Sequence, residues 1–351
     1  TVTGVQTCAL PIWLLILLAG LVFCSGLHAG EFFVRPGGSD TAEGTSVATA
    51  FATIAKGVTV LKPGDTLTIQ PGTYAEAVTA RISGTAQEPI TIRAARAGTV
   101  LIRGDRDVSE FSLAPGFRYT HVTPFQQRVE GVVERDVRFV YSPKLSIEEV
   151  EAALGSFYQD EKSGLLYVHT TDSRPPSEHA IAVSVTNGFG LHLEPPRGSE
   201  TVHDVVIEGL AFTGYHSRDF PTGPGRNRWG LFAQSPERVT IRRCTSFLNS
   251  GGIFLVNGKG CVVEDSYAFA NYSRSLDFGN NILGWNVADT IFRRNTVEGF
   301  GQGASSTSDI TFYSGSDRSV MEDNLSINAG LMIKGGMEDR KSTRLNSSHS
   351  S

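Results

Sequence analysis

The sequence has few cysteines, and this scarcity limits how the fold can be stabilised. It contains 4 cysteines in 351 residues. Cys8 and Cys24 precede the part of the chain that we expect to fold. The repeats described below place Cys244 and Cys261 about 17 Å apart at the rise of a β-strand. That distance is too long for a disulfide, so we predict two free, buried thiols and a fold that depends on its core.

Positive charge and long apolar segments are also scarce. The chain carries 31 Lys and Arg against 36 Asp and Glu, a formal net charge of −5, and a mildly acidic surface argues against a nucleic-acid partner. An apolar run at residues 13–23 is shorter than the ~20 residues of a membrane-spanning helix and lacks basic flanks. We therefore predict a signal peptide at residues 13–30, no membrane span, and a secreted protein, extracellular or periplasmic.

The two ends of the chain are related in a way that protein structure does not explain. Residues 2–12 and residues 339–349 can be encoded by opposite strands of one DNA duplex. We interpret residues 1–12 and 339–351 as translated sequencing adapter and exclude them from the fold. The last repeat runs directly into the second of these segments. We therefore expect the complete protein, which we predict to be a monomer, to have further coils and a C-terminal cap.

Five apolar positions in the second half of the chain mark a repeat with intervals of 22 to 34 residues. They are Ile207, Ile241, Val263, Phe292 and Met321. A second series of apolar positions, in phase with the first, comprises Leu231, Ile253, Ile282, Ile310 and Leu331. Three short strands per repeat, with repeats of variable length, are typical of a solenoid of stacked β-coils. We assign residues 199–338 to such coils.

One turn of the repeat carries small or polar side chains at an equivalent position. These side chains belong to Cys244, Ser266, Asn295 and Asn324. Stacked Asn and Ser side chains can hydrogen-bond from one coil to the next. The pattern therefore predicts a polar ladder that runs along this turn.

The segment before the repeats predicts a cap followed by the first coils. A short strand at residues 32–35 precedes apolar residues at helical spacing over residues 51–61, and strand periodicity resumes at Thr66. A helix at this point would cover the open end of the core, where strand-edge groups would otherwise stay unpaired. We assign residues 31–104 to this N-terminal cap and the first coils.

Residues 105–198 interrupt the repeat. Ser146 and Glu149 have the spacing of a capping box, which predicts a short helix. Apolar stretches on both sides of a turn at residues 160–164 predict a β-hairpin. We predict a small inserted α+β subdomain, and the alternative is a long decorated turn between two coils.

The repeat and several N-terminal motifs together resemble one superfamily. The motifs are Pro63-Gly64-Asp65-Thr66-Leu67, Gly72-Thr73-Tyr74, Ser83-Gly84-Thr85 and Pro89-Ile90-Thr91-Ile92. They resemble the right-handed parallel β-helix superfamily of pectate lyases, chondroitinase-type and alginate lyases and several glycoside hydrolases, over about residues 31–104 and 199–338. The resemblance implies an all-β, right-handed parallel β-helix with an N-terminal capping helix. It also implies a polysaccharide-binding groove on one parallel sheet.

Aromatic side chains are expected on the outer face of the strands in the second series. Successive side chains in a strand point to opposite faces, so Phe232 and Phe254 are predicted to point outward, and so are Trp285, Tyr313 and Lys334 two positions further along. We interpret Trp285 beside Tyr313 as a platform for sugar rings, with Phe232 and Phe254 on the same substrate-binding face. The alternative is that a loop or the insertion covers this face and the aromatics are ordinary packing.

The loops that precede these strands supply candidate catalytic groups. A glycoside hydrolase needs two carboxylates, for which the candidates are Asp277 and Asp309. A lyase needs a base and a cation that neutralises a uronate carboxylate. Lys334 or Arg274 is the candidate base. Arg218 or a Ca²⁺ ion is the candidate neutralising group, although no Asp cluster like the calcium motif of the lyases stands out.

His216 and Arg218 complete the predicted substrate-binding set. Two classes of function follow from these residues. The first is a secreted carbohydrate-active enzyme, hydrolase or lyase, acting on a polysaccharide or oligosaccharide. The second is a non-catalytic glycan-binding or surface β-helix protein. A short distance between Asp277 and Asp309 in the groove would favour the enzyme.

Overall fold

The structure is a computed structural model that describes residues 29–218, 228–272, 280–299, 308–327 and 330–334, with the backbone alone for residues 308–309 and 330–334. Residues 1–12 and 339–351, which we interpreted as adapter sequence, and residues 13–28 of the predicted signal peptide lie outside these ranges. So do Arg274 and Asp277, two of the candidate catalytic residues.

The N-terminal part forms a strand, one short helix and the first coils. Its elements are β1 (Glu31–Val34), α1 (Ile54–Val58), β2 (Thr66–Ile69), β3 (Gly72–Tyr74), β4 (Val78–Ala80), β5 (Ile90–Ala94) and β6 (Val100–Arg103). The predicted helix over residues 51–61 is thus shorter than expected. Phe51 instead forms a parallel bridge with Val34, and the helix begins after Thr53, whose side chain accepts a hydrogen bond from Lys56 N at 3.0 Å.

The insertion forms two small sheets, one antiparallel and one mixed, with a core of their own. Its elements are β7 (Asp105–Asp107), β8 (Ser112–Leu113), β9 (His121–Pro124), β10 (Gly131–Glu134), β11 (Phe139–Val140), β12 (Ser142–Pro143), α2 (Ile147–Glu151), β13 (Ser156–Asp160), β14 (Leu165–His169), a 3-10 turn (Pro176–Glu178) and β15 (Ile181–Ser184). The strand orders are β11-β10-β15-β7 and β12-β13-β14-β9-β8. One half of the predicted capping box is present, because Ser146 Oγ accepts from Glu149 N at 3.3 Å, while the Glu149 carboxylate accepts from Leu145 N at 3.0 Å. The hairpin is the β13–β14 pair.

The remaining strands form the coils. They are β16 (Leu191–Leu193), β17 (Val202–His203), β18 (Val205–Glu208), β19 (Leu210–Thr213), β20 (Trp229–Gln234), β21 (Pro236–Glu237), β22 (Thr240–Arg242), β23 (Thr245–Phe247), β24 (Gly251–Val256), β25 (Val262–Glu264), β26 (Tyr267–Phe269), β27 (Ile282–Trp285), β28 (Ile291–Arg293), β29 (Thr296–Glu298), β30 (Ser308–Tyr313), β31 (Val320–Glu322), β32 (Leu325–Ile327) and β33 (Gly330–Lys334). The sequence placed residues 191–193 in the insertion, but β16 pairs with β4 and β20 in a coil sheet.

Three parallel sheets run along the solenoid. The first sheet has the order β1-β2-β5-β18-β22-β25-β28-β31, the second β3-β6-β19-β23-β26-β29-β32, and the third β4-β16-β20-β24-β27-β30-β33. Each coil gives one strand to each sheet. Because parallel crossovers in sheets are right-handed, the chain is a right-handed parallel β-helix with a capping helix and an inserted subdomain.

The predicted internal row stacks as expected. Ile207, Ile241, Val263, Phe292 and Met321 pair with one another in register along the first sheet. All five side chains are fully buried. The row continues into the N-terminal coils through Ile92 and Leu67. A single core therefore runs from the cap to the last described coils.

The polar ladder predicted for one turn is also present. Cys244 N donates to Ser266 Oγ at 3.2 Å, Ser266 N donates to Asn295 Oδ1 at 3.1 Å, and Asn295 N donates to Asn324 Oδ1 at 2.9 Å. Cys244 and Cys261 are free and buried, as predicted. Burial raises the pKa of each thiol to about 12.

Candidate functional site

The outer face of the third sheet carries two rows of side chains. Strand pairing aligns the first row as His192, Phe232, Phe254, Leu283 and Thr311. It aligns the second row as Gln234, Val256, Trp285, Tyr313 and Lys334. This is the register expected from the repeat, so Trp285, Tyr313 and Lys334 do come from three successive coils. For Lys334 the structure gives the backbone position alone.

Trp285 and Tyr313 form a pair of adjacent aromatic rings, which we call the aromatic ledge. Their ring centroids lie 4.8 Å apart with an interplanar angle of 51°. Both side chains are half-buried, so each ring keeps part of its surface accessible. Rings of this kind offer apolar area together with the polar tip of an indole or a phenol. The ledge therefore suits a ligand with both apolar faces and hydroxyl groups.

Amide side chains directly follow two of the strands that carry the second row. Asn257 and Asn286 directly follow the second-row residues Val256 and Trp285, and both are exposed. The Asn286 Nδ2 donates to the Asn257 Oδ1 at 2.8 Å. Each amide still has further donor and acceptor capacity, since an amide offers two N–H groups and two carbonyl lone pairs. The ledge thus offers ring contact, and the amides at the ends of the same strands offer hydrogen bonding.

Phe232 and Phe254 do not belong to this accessible surface, which corrects their predicted role as substrate-binding aromatics. Their exposed fractions are 5% and 0%. The Phe254 ring lies 4.7 Å from the Trp229 ring, and the Phe232 ring lies 4.9 Å from the Phe189 ring. Stacking of the coils places these large side chains against one another, and their neighbours cover what remains. For this pair, the alternative of ordinary packing is correct.

His216 was predicted to contact substrate, but it lies in the interior where the insertion meets the coils. Its exposed fraction is 2%, and burial lowers its pKa to about 4. A Cβ on Gly131 of the insertion would lie 2.7 Å from the His216 Cβ, which shows how closely the two segments approach. His216 is therefore a neutral packing residue.

Arg218 links a coil loop to the insertion. Its guanidinium forms an ion pair with Glu161 at 2.5 Å and reaches Gln159 Oε1 at 3.4 Å. Its backbone N–H donates to Glu130 Oε2 at 3.3 Å. Arg218 also lines a pocket of about 770 Å³ whose other walls come from the insertion.

The predicted carboxylate pair stays a prediction. Asp309 lies at the start of β30 in the third sheet, but its side chain is outside what the structure describes. Asp277 and Arg274 lie outside the described residues altogether.

The sequence reasoning missed a charged cluster where the insertion meets the third sheet. Glu130 is buried, and its Oε1 accepts from Arg128 Nε at 3.0 Å. Arg228 lies beside the ring of Phe189 at 5.7 Å and donates to Asn187 Oδ1. Burial lowers the pKa of the Arg228 guanidinium. No local sequence pattern predicts this cluster, because its members come from separate parts of the chain.

A second group that the sequence did not reveal surrounds His179 in the insertion. The His179 Nδ1 lies 2.8 Å from Glu134 Oε1 and 3.0 Å from Asp136 Oδ2, and its Nε2 lies 3.1 Å from Asp172 Oδ1. Burial opposes a charge on this ring. The hydrogen bond to Asp136 and the negative charges of Glu134 and Asp172 outweigh that effect and raise the pKa of His179.

The His179 group, here Glu134, Asp136 and His179, has the residue types and proximity of a metal site. Glu134, however, is already occupied by protein donors. Its Oε2 accepts from Tyr141 Oη at 2.6 Å and from Thr171 N at 3.1 Å. Within the described ranges, the third sheet offers no comparable set of three acidic or histidine ligands.

Comparisons with known proteins agree with the fold. A family model described as Chondroitinase B matches residues 48–112. A solved structure described as the complex of XylC with xylose aligns with a TM-score of 0.59 and 12% identity, over 87% of this chain and 64% of that one. A glycoside hydrolase structure aligns with a TM-score of 0.48 and 11% identity, over 92% and 96% of the two chains. No curated protein matches the sequence.

An alginate lyase structure from Paenibacillus sp. str. FPU-7 also aligns, with a TM-score of 0.44 and 13% identity over 80% of this chain and 65% of that chain. At 12% identity, the similarity to the XylC structure shows the fold alone, that of a parallel β-helix. The chain spans less than two thirds of the length of the XylC and alginate lyase chains. Among the described residues, no helix is long and apolar enough to cross a membrane.

Proposed function

We propose that the protein is a secreted, polysaccharide-active β-helix protein that binds a glycan along the outer face of the third sheet. The aromatic ledge of Trp285 and Tyr313 is the observation that carries this proposal. Sugar rings present apolar C–H faces framed by hydroxyl groups. The ledge presents aromatic area, and the exposed Asn257 and Asn286 amides follow the strands of the second row. The similarity to XylC, whose structure holds xylose, and to the Chondroitinase B family model supports the same substrate class.

We assign catalysis to the loop edge of this sheet. In the hydrolase form of the proposal, Asp277 and Asp309 act as the acid and the base or nucleophile. In the lyase form, Lys334 or Arg274 removes the proton beside a uronate carboxylate. Arg218 is already paired with Glu161. In the lyase form, a different cation therefore has to neutralise the uronate carboxylate. A Ca²⁺ ion held by acidic loop residues would fill that role.

Product analysis tests the proposal. The protein is incubated with a panel of polysaccharides, and the products of any cleaved substrate are identified. A new reducing end without ultraviolet absorption indicates hydrolysis, and an unsaturated, ultraviolet-absorbing sugar end indicates β-elimination. Asp277→Asn and Asp309→Asn should each lower turnover by ~100-fold or more and leave binding largely intact. Full turnover in both variants contradicts the catalytic assignment.

A non-catalytic glycan-binding protein is the second candidate. The ledge and its amides favour it, because they provide binding without requiring any acid or base. This candidate predicts that one glycan of the panel binds and that none is cleaved. Absence of binding across the panel would contradict both candidates.

A further inference from the structure

We infer that the insertion carries a second ligand site, a cationic pocket for an acidic oligosaccharide. The pocket has a volume of about 770 Å³ and lies between the β13–β14 hairpin, the segment after β12, and Arg218 of the coil loop. We call it the insertion pocket. The inference rests on the proposed function and adds a substrate class, a sugar that bears a carboxylate or a sulfate.

The charges that line the insertion pocket are unequal. Lys144, Lys162 and Arg218 contribute positive charge, and Asp160 and Glu161 contribute negative charge. Both carboxylates are already engaged by the protein, while the described residues show no ion pair of either lysine ammonium group. The ammonium groups of Lys144 and Lys162 can therefore pair with an anionic ligand in the pocket.

The two carboxylates are held by neighbouring groups. Asp160 Oδ1 accepts from Lys162 N at 3.0 Å, and Asp160 Oδ2 accepts from Ser163 Oγ at 2.7 Å. Both hydrogen bonds lie within the turn that Asp160 begins. Glu161 forms the 2.5 Å ion pair with Arg218. These contacts lower the pKa of both carboxyl groups. Both acids therefore stay ionised and committed to the protein at neutral pH.

The polar floor of the pocket is pre-organised. Gln159 is buried, and its Nε2 donates to Gln127 O at 2.7 Å while its Oε1 accepts from Val129 N at 2.8 Å. The same Gln159 Oε1 accepts a hydrogen bond from Arg218 Nη1 at 3.4 Å. The guanidinium is thus fixed between Gln159 and Glu161. Arg218 is therefore committed to the protein, and the two lysines are left to meet the charge of a ligand.

The remaining wall is apolar and partly accessible. Leu145 is 85% exposed, although large aliphatic side chains are usually buried. Pro143 and the half-buried Tyr158 lie in the same wall. Apolar area next to fixed positive charge suits a ring that bears an anionic substituent. A uronic acid and a sulfated sugar both have this chemistry, whereas a neutral sugar lacks the charge.

The test is a binding titration with defined oligosaccharides. One pair of probes is tetragalacturonate and its methyl ester, in which every carboxylate is replaced by an uncharged ester. A second pair is a sulfated chondroitin tetrasaccharide and its desulfated form, which shows whether a sulfate is required in addition to the uronate. The charged member of at least one pair should bind more tightly than its partner, and this preference should weaken as salt is raised. Equal affinity within both pairs, or no binding of any charged probe, overturns the inference.

Variants locate the binding in the pocket. The double variant Lys144→Gln/Lys162→Gln should lower affinity for the charged probe by ~10-fold or more and leave the methyl ester unaffected. Lys144→Arg/Lys162→Arg, which keeps both positive charges, should keep most of the parent protein's affinity for the charged probe. Lys259→Gln is the matched control, because Lys259 is an exposed lysine on the coils, outside the pocket. Unchanged affinity in the double Gln variant overturns the inference.

The same titrations separate this inference from the proposed function. Loss of binding in the lysine variants with no effect of Trp285→Ala supports the insertion pocket and contradicts the glycan site on the third sheet. The reverse result supports the third-sheet site and contradicts the pocket. Thermal unfolding of each variant confirms that the comparison is made on folded protein.

Discussion

The rings of Trp285 and Tyr313 lie 4.8 Å apart because the two residues are paired in register on neighbouring strands of one parallel sheet. The spacing equals the separation of the strands themselves. Two half-buried aromatic residues on consecutive coils therefore form one continuous surface. The first prediction concerns what that surface binds.

Replacing Trp285 with Ala should weaken binding of the cognate glycan by ~10-fold or more, because the sugar loses contact with the indole face. Isothermal titration of the parent and the variant measures the change. Phe247→Ala is the matched control, since Phe247 stacks on Phe269 at 5.0 Å on the second sheet. Equal losses in the two variants would mean that the effect is general and that the ledge is not the binding surface.

The second prediction concerns the polar ladder. Asn295 is buried, donates from Nδ2 to Val263 O at 2.8 Å and accepts from Ser266 N at 3.1 Å. Asn295→Ala leaves both of these backbone groups without their partner, so the free energy of unfolding should fall by about 2–4 kcal/mol. Urea denaturation measures the loss. Gln127→Ala, at an exposed side chain, should change stability by less than ~0.5 kcal/mol.

The third prediction is a pH dependence of stability from His179. Its folded pKa is raised above the ordinary value of 6.5, so its contribution to stability is complete below that value and is lost as the pH rises through the folded pKa. His179→Gln should therefore destabilise the protein more at pH 5.5 than at pH 8.5. Unfolding free energies of the two proteins at both pH values measure the difference.

A second variant checks the cause of the His179 effect. Asp172→Asn removes the carboxylate that faces the Nε2 of His179, and it should reduce the pH dependence without abolishing it, because Glu134 and Asp136 remain. A pH profile identical in the parent and in His179→Gln would show that the raised pKa has no role in stability.

The fourth prediction concerns the two buried thiols. Because burial raises the pKa of Cys244 and Cys261 to about 12, almost no thiolate is present at neutral pH, and the thiolate is the reactive form. Alkylation with iodoacetamide at pH 8, followed by peptide mass spectrometry, should leave both residues unmodified in native protein. Both should be modified in denaturant. Rapid modification of either one in native protein would contradict its buried position.

The repeat could be recognised from the sequence because each coil repeats the same local requirement. Ile207 and Ile241 have to fill the same core position on successive coils, so apolar periodicity marks them directly. The ladder at Ser266 and Asn295 follows from the same alignment. The outward direction of Trp285 also follows, since alternation along a strand fixes it.

The same reasoning failed where burial depends on segments far apart in the chain. Phe254 and Trp285 both point away from the core, but Phe254 is covered by Trp229 and Trp285 is half-buried. Alternation gives the face on which a side chain lies and says nothing about what packs on that face. His216 was misassigned for the same reason, because the insertion that buries it is distant in the sequence.

The sequence by itself determined the stacked coils, the cap, the insertion and the row that holds Trp285 and Tyr313, because strand period and repeat alignment are local properties of the chain. Only the tertiary structure decided which aromatics stay accessible, that Arg218 is committed to Glu161, and that three carboxylates surround His179. Those contacts join residues from separate segments. Their energies depend on burial and distance, which no local pattern encodes.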